Sequence, residues 1–220
     1  MSAGVPAAFL RLGNCNLACH YCDTPYTWDE SRYDLSAELV PTDLDEVAGW
    51  IEEKAPGRLI VTGGEPLLQH RLLLTLLNEV DQRRTMAGRP DLFVEVETNG
   101  TIGPSTALMA RINQWNVSPK LACSNEVEGR RIKPEVLRRF ADCERAFFKF
   151  VVEIERDVDE VRQLMSRFRL DENRVLLMPQ AIDADRLRQR SPEVARWALR
   201  ENVRFSSRVH LELYGGKRGT

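Results

Sequence analysis

Residues 58–80 read RLIVTGGEPLLQHRLLLTLLNEV, and this stretch decides the fold. Arg58–Val61 is a short buried run of strand length, stopped by Thr62-Gly63-Gly64, and Leu68–Val80 continues as a leucine-rich helical segment. Strand, glycine turn and helix make the repeating unit of a parallel α/β sheet. The same rhythm runs outward in both directions. Toward the N-terminus, Ala7–Leu12 reads as a strand leading into a cysteine loop, and Thr42 caps a helix with Leu44, Val47, Ala48 and Ile51 at helical spacing. Toward the C-terminus, a strand at Leu92–Glu97 stops at Thr98-Asn99-Gly100, and Pro104 starts a helix backed by Leu108, Met109 and Ile112. Strands follow at Gln114–Val117, Ala146–Val152 and Arg174–Met178, with helices at Pro134–Phe140 and Val158–Phe168. A helical region broken near Ser191-Pro192 runs to about Glu201, and Val209–Leu213 reads as a last extended piece.

Six strands are too few to close an eight-stranded barrel. The expectation is an α/β fold, a partial, open TIM-like barrel of about six parallel strands with right-handed crossovers. The chain has 220 residues, with 31 Lys+Arg against 33 Asp+Glu and a formal charge of −2. Its 43% hydrophobic and 29% charged residues are the balance of a soluble globular protein. A chain of this size buries roughly 70–75% of its unfolded surface, so a single domain over residues 1–220 is the expected organisation. No apolar run reaches the ~18 residues a membrane helix needs. The start, Met-Ser-Ala-Gly-Val-Pro, carries no signal-peptide pattern. Near-neutral, interspersed charge argues against direct nucleic-acid binding, which needs a basic face. Arg130-Arg131 and Arg138-Arg139 read as solvated helix surface.

The cysteines depart from this plain pattern. There are five, an odd number in a chain too long to need a disulfide scaffold, and Cys15, Cys19 and Cys22 fall within eight residues. Cys123 and Cys143 stand alone and read as buried small side chains. A reduced, cytoplasmic protein with a metal or cluster site near its start is expected. Soft thiolates select zinc, copper or iron–sulfur clusters. A closed zinc site would need a fourth ligand from His20, Asp23 or a distant cysteine. An iron–sulfur cluster on three cysteines would keep one iron open; unrelated thiols remain the third reading. The polar clusters all follow strands: the cysteine loop, Thr62–Pro66, Glu97–Gly100, Ser118–Lys120 and Pro179-Gln180. Parallel α/β folds build their sites on that C-terminal edge.

Cys15-x3-Cys19-x2-Cys22 resembles the signature of radical S-adenosylmethionine (SAM) enzymes, and Gly63-Gly64-Glu65-Pro66 resembles their motif for the SAM amino group. Further matches narrow the resemblance. Arg11-Leu12, Cys15-Asn16-Leu17, Cys22–Trp28, Thr62–Pro66, Glu97–Thr101, Ser118-Pro119-Lys120, Lys149–Val152, Met178-Pro179-Gln180 and His210 are similar to the 7-carboxy-7-deazaguanine synthase family, in order and over nearly the whole chain. The resemblance implies a 4Fe–4S cluster on the three cysteines, with SAM chelating the fourth iron. It implies conversion of 6-carboxy-5,6,7,8-tetrahydropterin to 7-carboxy-7-deazaguanine with loss of ammonia, in the queuosine pathway. It further implies that a 5′-deoxyadenosyl radical takes hydrogen from C6 of the pterin and later returns it, so that cluster and SAM would carry the chemistry without a catalytic side chain. A flavodoxin or ferredoxin as electron donor, Mg²⁺ and a homodimer come with the family.

The same resemblance assigns Gly64 and Glu65 to the SAM amino group and Ser118-Pro119-Lys120 to its nucleoside and carboxylate side. Tyr21-Cys22-Asp23 would offer backbone to adenine, and Gln180 would touch SAM or substrate. Thr24 becomes a magnesium ligand; without the family it would read as a hydroxyl closing the turn before Pro25. A carboxylate accepts two parallel hydrogen bonds, which makes Glu97 the candidate for the pterin's amino-pyrimidine edge. Read plainly, Glu97 is an exposed strand residue that shares a face with Glu95. Arg11 would pair with the substrate carboxylate, with Thr62 and His210 as further contacts. Rival readings are an activase that makes a glycyl radical on a partner protein, and a non-catalytic zinc module. The family usually carries a strand and a Gln-Gly-Glu-Gly loop ahead of the match to Gly4-Val5-Pro6, so a longer natural chain is expected. It also places Gly directly before the first cysteine, where this chain has Asn14.

Overall fold

The computed structural model describes Ser2 and residues 4–218. Its strands among these residues are β1 (Ala8–Leu12), β2 (Arg58–Gly63), β3 (Phe93–Thr98), β4 (Gln114–Val117), β5 (Ala146–Val152), β6 (Val175–Pro179) and the two-residue β7 (Arg204–Phe205). They lie in one open sheet in chain order with β1 and β7 at its edges, and β1–β2, β2–β3, β5–β6 and β6–β7 pair in parallel. The helices are α1 (Leu35–Glu38), α2 (Leu44–Lys54), α3 (His70–Met86), α4 (Thr106–Arg111), α5 (Glu128–Arg131), α6 (Pro134–Ala141), α7 (Glu155–Phe168), α8 (Ala184–Arg200) and α9 (Val209–Tyr214). The six expected strands are present within two residues of their expected bounds. Among the described residues no helix is long and apolar enough to cross a membrane.

Two compact units share the chain, which passes between them several times, for the last time inside β4. The first holds the chain up to Ala18, Thr24–Thr98 and Ile102–Trp115. Its sheet turns Leu59, Val61, Val94 and Val96 to one face, all fully buried, and α2 and α3 supply Ile51, Leu73, Leu77 and Val80. The other face of the same strands is mixed, with Ile60 and Phe93 beside charged residues. Arg58 pairs there with Glu95 and lies 4.0 Å over the Phe93 ring, and Gln114 Nε2 donates to Glu95 at 3.0 Å.

The second unit holds Cys19–Asp23, Asn99–Thr101 and the chain from Asn116. Phe148, Phe150 and Val152 alternate inward on β5, and α6 and α7 add Leu137, Phe140, Val158 and Val161. Asp157 starts α7 by accepting the backbone N–H groups of Glu153 and Ile154 at 2.7 and 3.0 Å.

Several local expectations are corrected. The cap of α2 is Asp43; the Thr42 hydroxyl turns back to the Val40 carbonyl at 3.0 Å. Ser105, not Pro104, opens α4, because its hydroxyl accepts the Leu108 N–H at 3.2 Å. Residues Pro66–Gln69 form a 3-10 turn before α3 begins. Pro192 lies inside an unbroken α8: Leu187 before it and Val194, Trp197 and Ala198 after it are buried on the helix, so packing outweighs the missing N–H. Val209–Leu213 is helical rather than extended. Its apolar–polar alternation imitates a strand, but Leu211 alone is buried, packed with Ala181 and Leu187. Arg131 is not solvated surface; it is buried and donates to Glu160 at 2.6 Å and to the Lys120 carbonyl at 2.9 Å. Cys123 and Cys143 are half-buried rather than buried.

Candidate active site

In the first unit, the cysteine loop leaves β1 at Leu12 and is joined at once to the end of β2. Gly64 N–H donates to the Leu12 carbonyl at 3.1 Å and Glu65 N–H to the Asn14 carbonyl at 2.8 Å. Only glycine fits between them. A Cβ on Gly63 would stand 2.1 Å from the Leu12 oxygen, and one on Gly64 would stand 2.1 Å from the Asn14 oxygen and 2.9 Å from Cys15 Cβ. Gly63 also has a φ of +153°, which side-chain-bearing residues rarely adopt. Asn14 has φ 69°, so the position before Cys15 demands the left-handed region that glycine or asparagine supplies. The Asn14 N–H then donates to Thr27 at 2.7 Å, which folds residues 24–27 back onto the loop.

Glu65 is fully buried. One of its oxygens accepts the Leu67 N–H at 3.0 Å and the Thr98 hydroxyl at 2.8 Å, fixing the carboxylate at the strand ends. Arg11 and Thr62 are register partners on β1 and β2. Glu95 is the register partner of Ile60, so Glu97, two residues on, shares the face of Arg11 and Thr62. Glu97 is half-buried and Glu95 buried, which removes the reading of an exposed acidic face. Thr24 precedes the 3-10 turn Pro25–Thr27. Its carbonyl, not its hydroxyl, closes that turn, accepting from Thr27 N–H at 3.1 Å and the Thr27 hydroxyl at 2.8 Å.

In the second unit, Cys22 N–H donates to the Cys19 carbonyl at 3.1 Å and His20 N–H to the Ser124 carbonyl at 3.3 Å. Burial pushes the Cys19 thiol above its ordinary value, while the charge of Lys120 pulls it back. Burial, reinforced by Cys123, pushes the Tyr21 phenol up as well. Burial and the neighbouring Asp157 raise Cys123 to about 12. Lys120 Nζ donates to the Ser118 hydroxyl at 3.2 Å, while the buried Arg131 holds the Lys120 carbonyl. Gln180 is buried, and Arg190, itself paired with Glu153, occupies its side-chain carbonyl oxygen. His210 is exposed on α9.

One residue that the sequence reading did not single out belongs to this region. Arg208, two positions before His210, forms an ion pair with Asp23 between Cys22 and Thr24. The two are 185 residues apart, so no local signal could have found the pair. All five cysteines lie outside disulfides, and Cys15, Cys19 and Cys22 offer the soft sulfur donors that a cluster takes. Among the described residues no group of three or more His, Cys, Asp or Glu is gathered to hold a metal ion.

Residues 11–115 match the family described as the radical SAM superfamily. The chain is 32% identical to the 7-carboxy-7-deazaguanine synthase of Pyrobaculum aerophilum, over all of this chain and 90% of the relative. It is 32% identical to the synthase of the same name from Hyperthermus butylicus, over 94% of this chain and 84% of the relative. In fold it is similar to Streptococcus suis SuiB bound to S-adenosylmethionine, with a TM-score of 0.57 at 13% identity over 90% of this chain. It spans about half, 49%, of that structure's length. With its open parallel sheet and its cysteine and glycine loops, the chain belongs to the radical SAM superfamily and, within it, to the family of the 7-carboxy-7-deazaguanine synthases.

Proposed function

We propose that the protein is a radical SAM carbon–nitrogen lyase that converts 6-carboxy-5,6,7,8-tetrahydropterin to 7-carboxy-7-deazaguanine with loss of ammonia, toward queuosine and related 7-deazapurines. One observation carries the reading. Arg11, Thr62 and Glu97 share a single face of three adjacent strands, at the strand ends beside the glycine loop. A cation and a carboxylate two strand spacings apart, about 9.5 Å, suit a two-ring heterocycle with a carboxylate at one end and an amino-pyrimidine at the other. Arg11 would pair with the carboxylate, Glu97 would accept the amino-pyrimidine donors, and Thr62 would add a hydroxyl between them.

Cys15, Cys19 and Cys22 would hold the 4Fe–4S cluster. The donor set fits, and the close approach of the Gly63-Gly64 backbone to Leu12 and Asn14 brings the end of β2 against Cys15. When bound and reduced, the cluster with SAM supplies a 5′-deoxyadenosyl radical for hydrogen abstraction at C6. Everything else asked of the chain is binding and orientation. Gly64 and Glu65 would face the SAM amino group, with Glu65 already fixed by Leu67 and Thr98. Ser118, Pro119 and Lys120 would line its nucleoside and carboxylate side, Tyr21–Asp23 would offer backbone to adenine, and Gln180 and His210 would complete the contacts. A Mg²⁺ on Thr24, a flavodoxin- or ferredoxin-type donor and a cytoplasmic homodimer complete the proposal. The test is anaerobic incubation of cluster-loaded protein with reductant, SAM and the pterin. Mass detection of the deazaguanine with SAM undepleted supports the reading; cluster-loaded protein that cleaves SAM and leaves the pterin unchanged overturns it.

A further inference from the structure

The residue that follows β6 carries a buried amide whose two ends are treated differently. Gln180 is 6% exposed, and its backbone N–H donates to the Val152 carbonyl at the end of β5 at 2.9 Å. Arg190, on α8, grips it from one side. Its Nη1 donates to the Gln180 main-chain carbonyl at 2.7 Å and also to the side-chain carbonyl oxygen. Its Nη2 forms an ion pair with Glu153, just past β5, which a second arginine, Arg186, approaches at 3.4 Å. Both terminal nitrogens of the guanidinium are therefore held, one by the end of β5 and the other by the end of β6.

This arrangement settles the polarity of the amide. A guanidinium has only donors, so the atom of Gln180 that meets Nη1 is the oxygen, and the NH2 group points the other way. Among the described residues that NH2 group makes no hydrogen bond. Two donors on a buried side chain are thus unmatched, at the C-terminal ends of the strands, where parallel α/β folds bind ligands. An amide with its oxygen occupied and its nitrogen open serves a ligand's acceptor, not a ligand's donor. Gln180 belongs to the same compact unit as Tyr21–Asp23 and Ser118–Lys120, the residues read for SAM. Arg11, Thr62 and Glu97, read for the pterin, belong to the other.

We propose that Arg190 is a positioning residue, held by Glu153, that locks the Gln180 amide with its nitrogen free to donate to an acceptor atom of SAM: a carboxylate or hydroxyl oxygen, or an adenine nitrogen. Arg190 acts only through Gln180. The inference deepens the proposed function and rests on it for the identity of the ligand; the lock itself is present in the protein alone.

The test compares wild type with Gln180→Met, Gln180→Glu, Arg190→Met and Arg190→Lys. The first readout, on protein without cluster or SAM, is the NMR signal of the Gln180 side-chain amide, identified by its loss in Gln180→Met. It should stand apart from the signals of exposed glutamines and move toward them in Arg190→Met. The second readout, on cluster-loaded protein, is SAM affinity by equilibrium binding, beside KM for the pterin at saturating SAM. Gln180→Met should weaken SAM binding about tenfold, the worth of one hydrogen bond. Gln180→Glu keeps a partner for Arg190 but has no donors; it should weaken SAM at least as much, with an unfolding midpoint no lower than wild type. Arg190→Met, which frees the amide to rotate, should weaken SAM about three- to tenfold, and Arg190→Lys, which still offers the oxygen a donor, should recover most of it. Pterin KM should stay near wild type throughout.

An amide signal unmoved in Arg190→Met overturns the lock. Wild-type SAM affinity in Gln180→Glu overturns the donor role, and a change confined to pterin KM overturns SAM as the ligand. A loss in Arg190→Met that follows a lowered unfolding midpoint and that Arg190→Lys does not recover marks a plain structural role and overturns positioning. Cluster-loaded wild type that binds no SAM overturns the proposed function and the ligand with it, while the amide signal still judges the lock.

Discussion

The glycine edge of the first unit and the Cys19–Asp23 edge of the second reach order by opposite means. At the glycine edge the backbone does the work: Gly64 and Glu65 bond directly to Leu12 and Asn14, and the strands touch where any Cβ would collide. At the Cys19–Asp23 edge the backbone bonds of Cys22 to Cys19 and of His20 to Ser124 are joined by a side chain, Arg208, which reaches Asp23 from the far end of the sequence. A backbone-built edge tolerates no added atom but asks nothing of its partners' side chains. A side-chain-built edge tolerates local change and fails when a remote residue is altered.

That difference sets the order of expected effects. The largest is at the thiols: Cys15→Ala, Cys19→Ala or Cys22→Ala should each abolish cluster assembly, read as iron and acid-labile sulfide, while Cys123→Ala should keep iron near wild type. Next comes Gly64→Ala, whose Cβ would meet the Asn14 oxygen at 2.1 Å. It should cost at least about 3 kcal/mol in thermal or denaturant unfolding; a cost below about 1 kcal/mol would show that the edge yields. Glu97→Gln and Arg11→Gln should each raise KM for the pterin about 10–100-fold, the worth of one charged hydrogen-bonding group, with SAM affinity kept. Thr24→Ala should blunt the dependence of turnover on magnesium, and an unchanged magnesium titration would reject Thr24 as its ligand. The last expectation, which leaves cluster and substrate untouched, concerns Cys123. Its thiol is raised to about 12, so the thiolate appears only as pH climbs toward that value. Alkylation of Cys123 at pH 8 should run at least about a hundredfold slower than that of an unperturbed thiol.

What was legible in the sequence follows the same line. The strands could be read because Leu59 and Val61, or Phe148 and Phe150, carry their burial in local pattern. The glycine loop could be read because its residue pattern is local, although the demand behind it comes from the backbone of Leu12 and Asn14. Asn14 shows the limit of reading by residue type: it stands where the family has glycine, and its φ of 69° shows that conformation was what mattered. The misread elements are those settled by distant packing. Val209–Leu213 alternates like a strand but is a helix because Leu211 finds a pocket with Ala181 and Leu187. Pro192 would break an isolated helix but not one with a buried face on both sides of it. Arg131 looked solvated because its acceptors, Glu160 and the Lys120 carbonyl, are not its sequence neighbours. Arg208 was invisible for the same reason.

The most direct test of the central claim is the composition and spectrum of anaerobically prepared wild-type protein with and without SAM. Three cysteine ligands and one open iron predict about four irons and four acid-labile sulfides per chain, with one iron site of the reduced cluster altered on adding SAM. Colourless protein with one zinc and no sulfide, or a cluster whose spectrum ignores SAM, would contradict it.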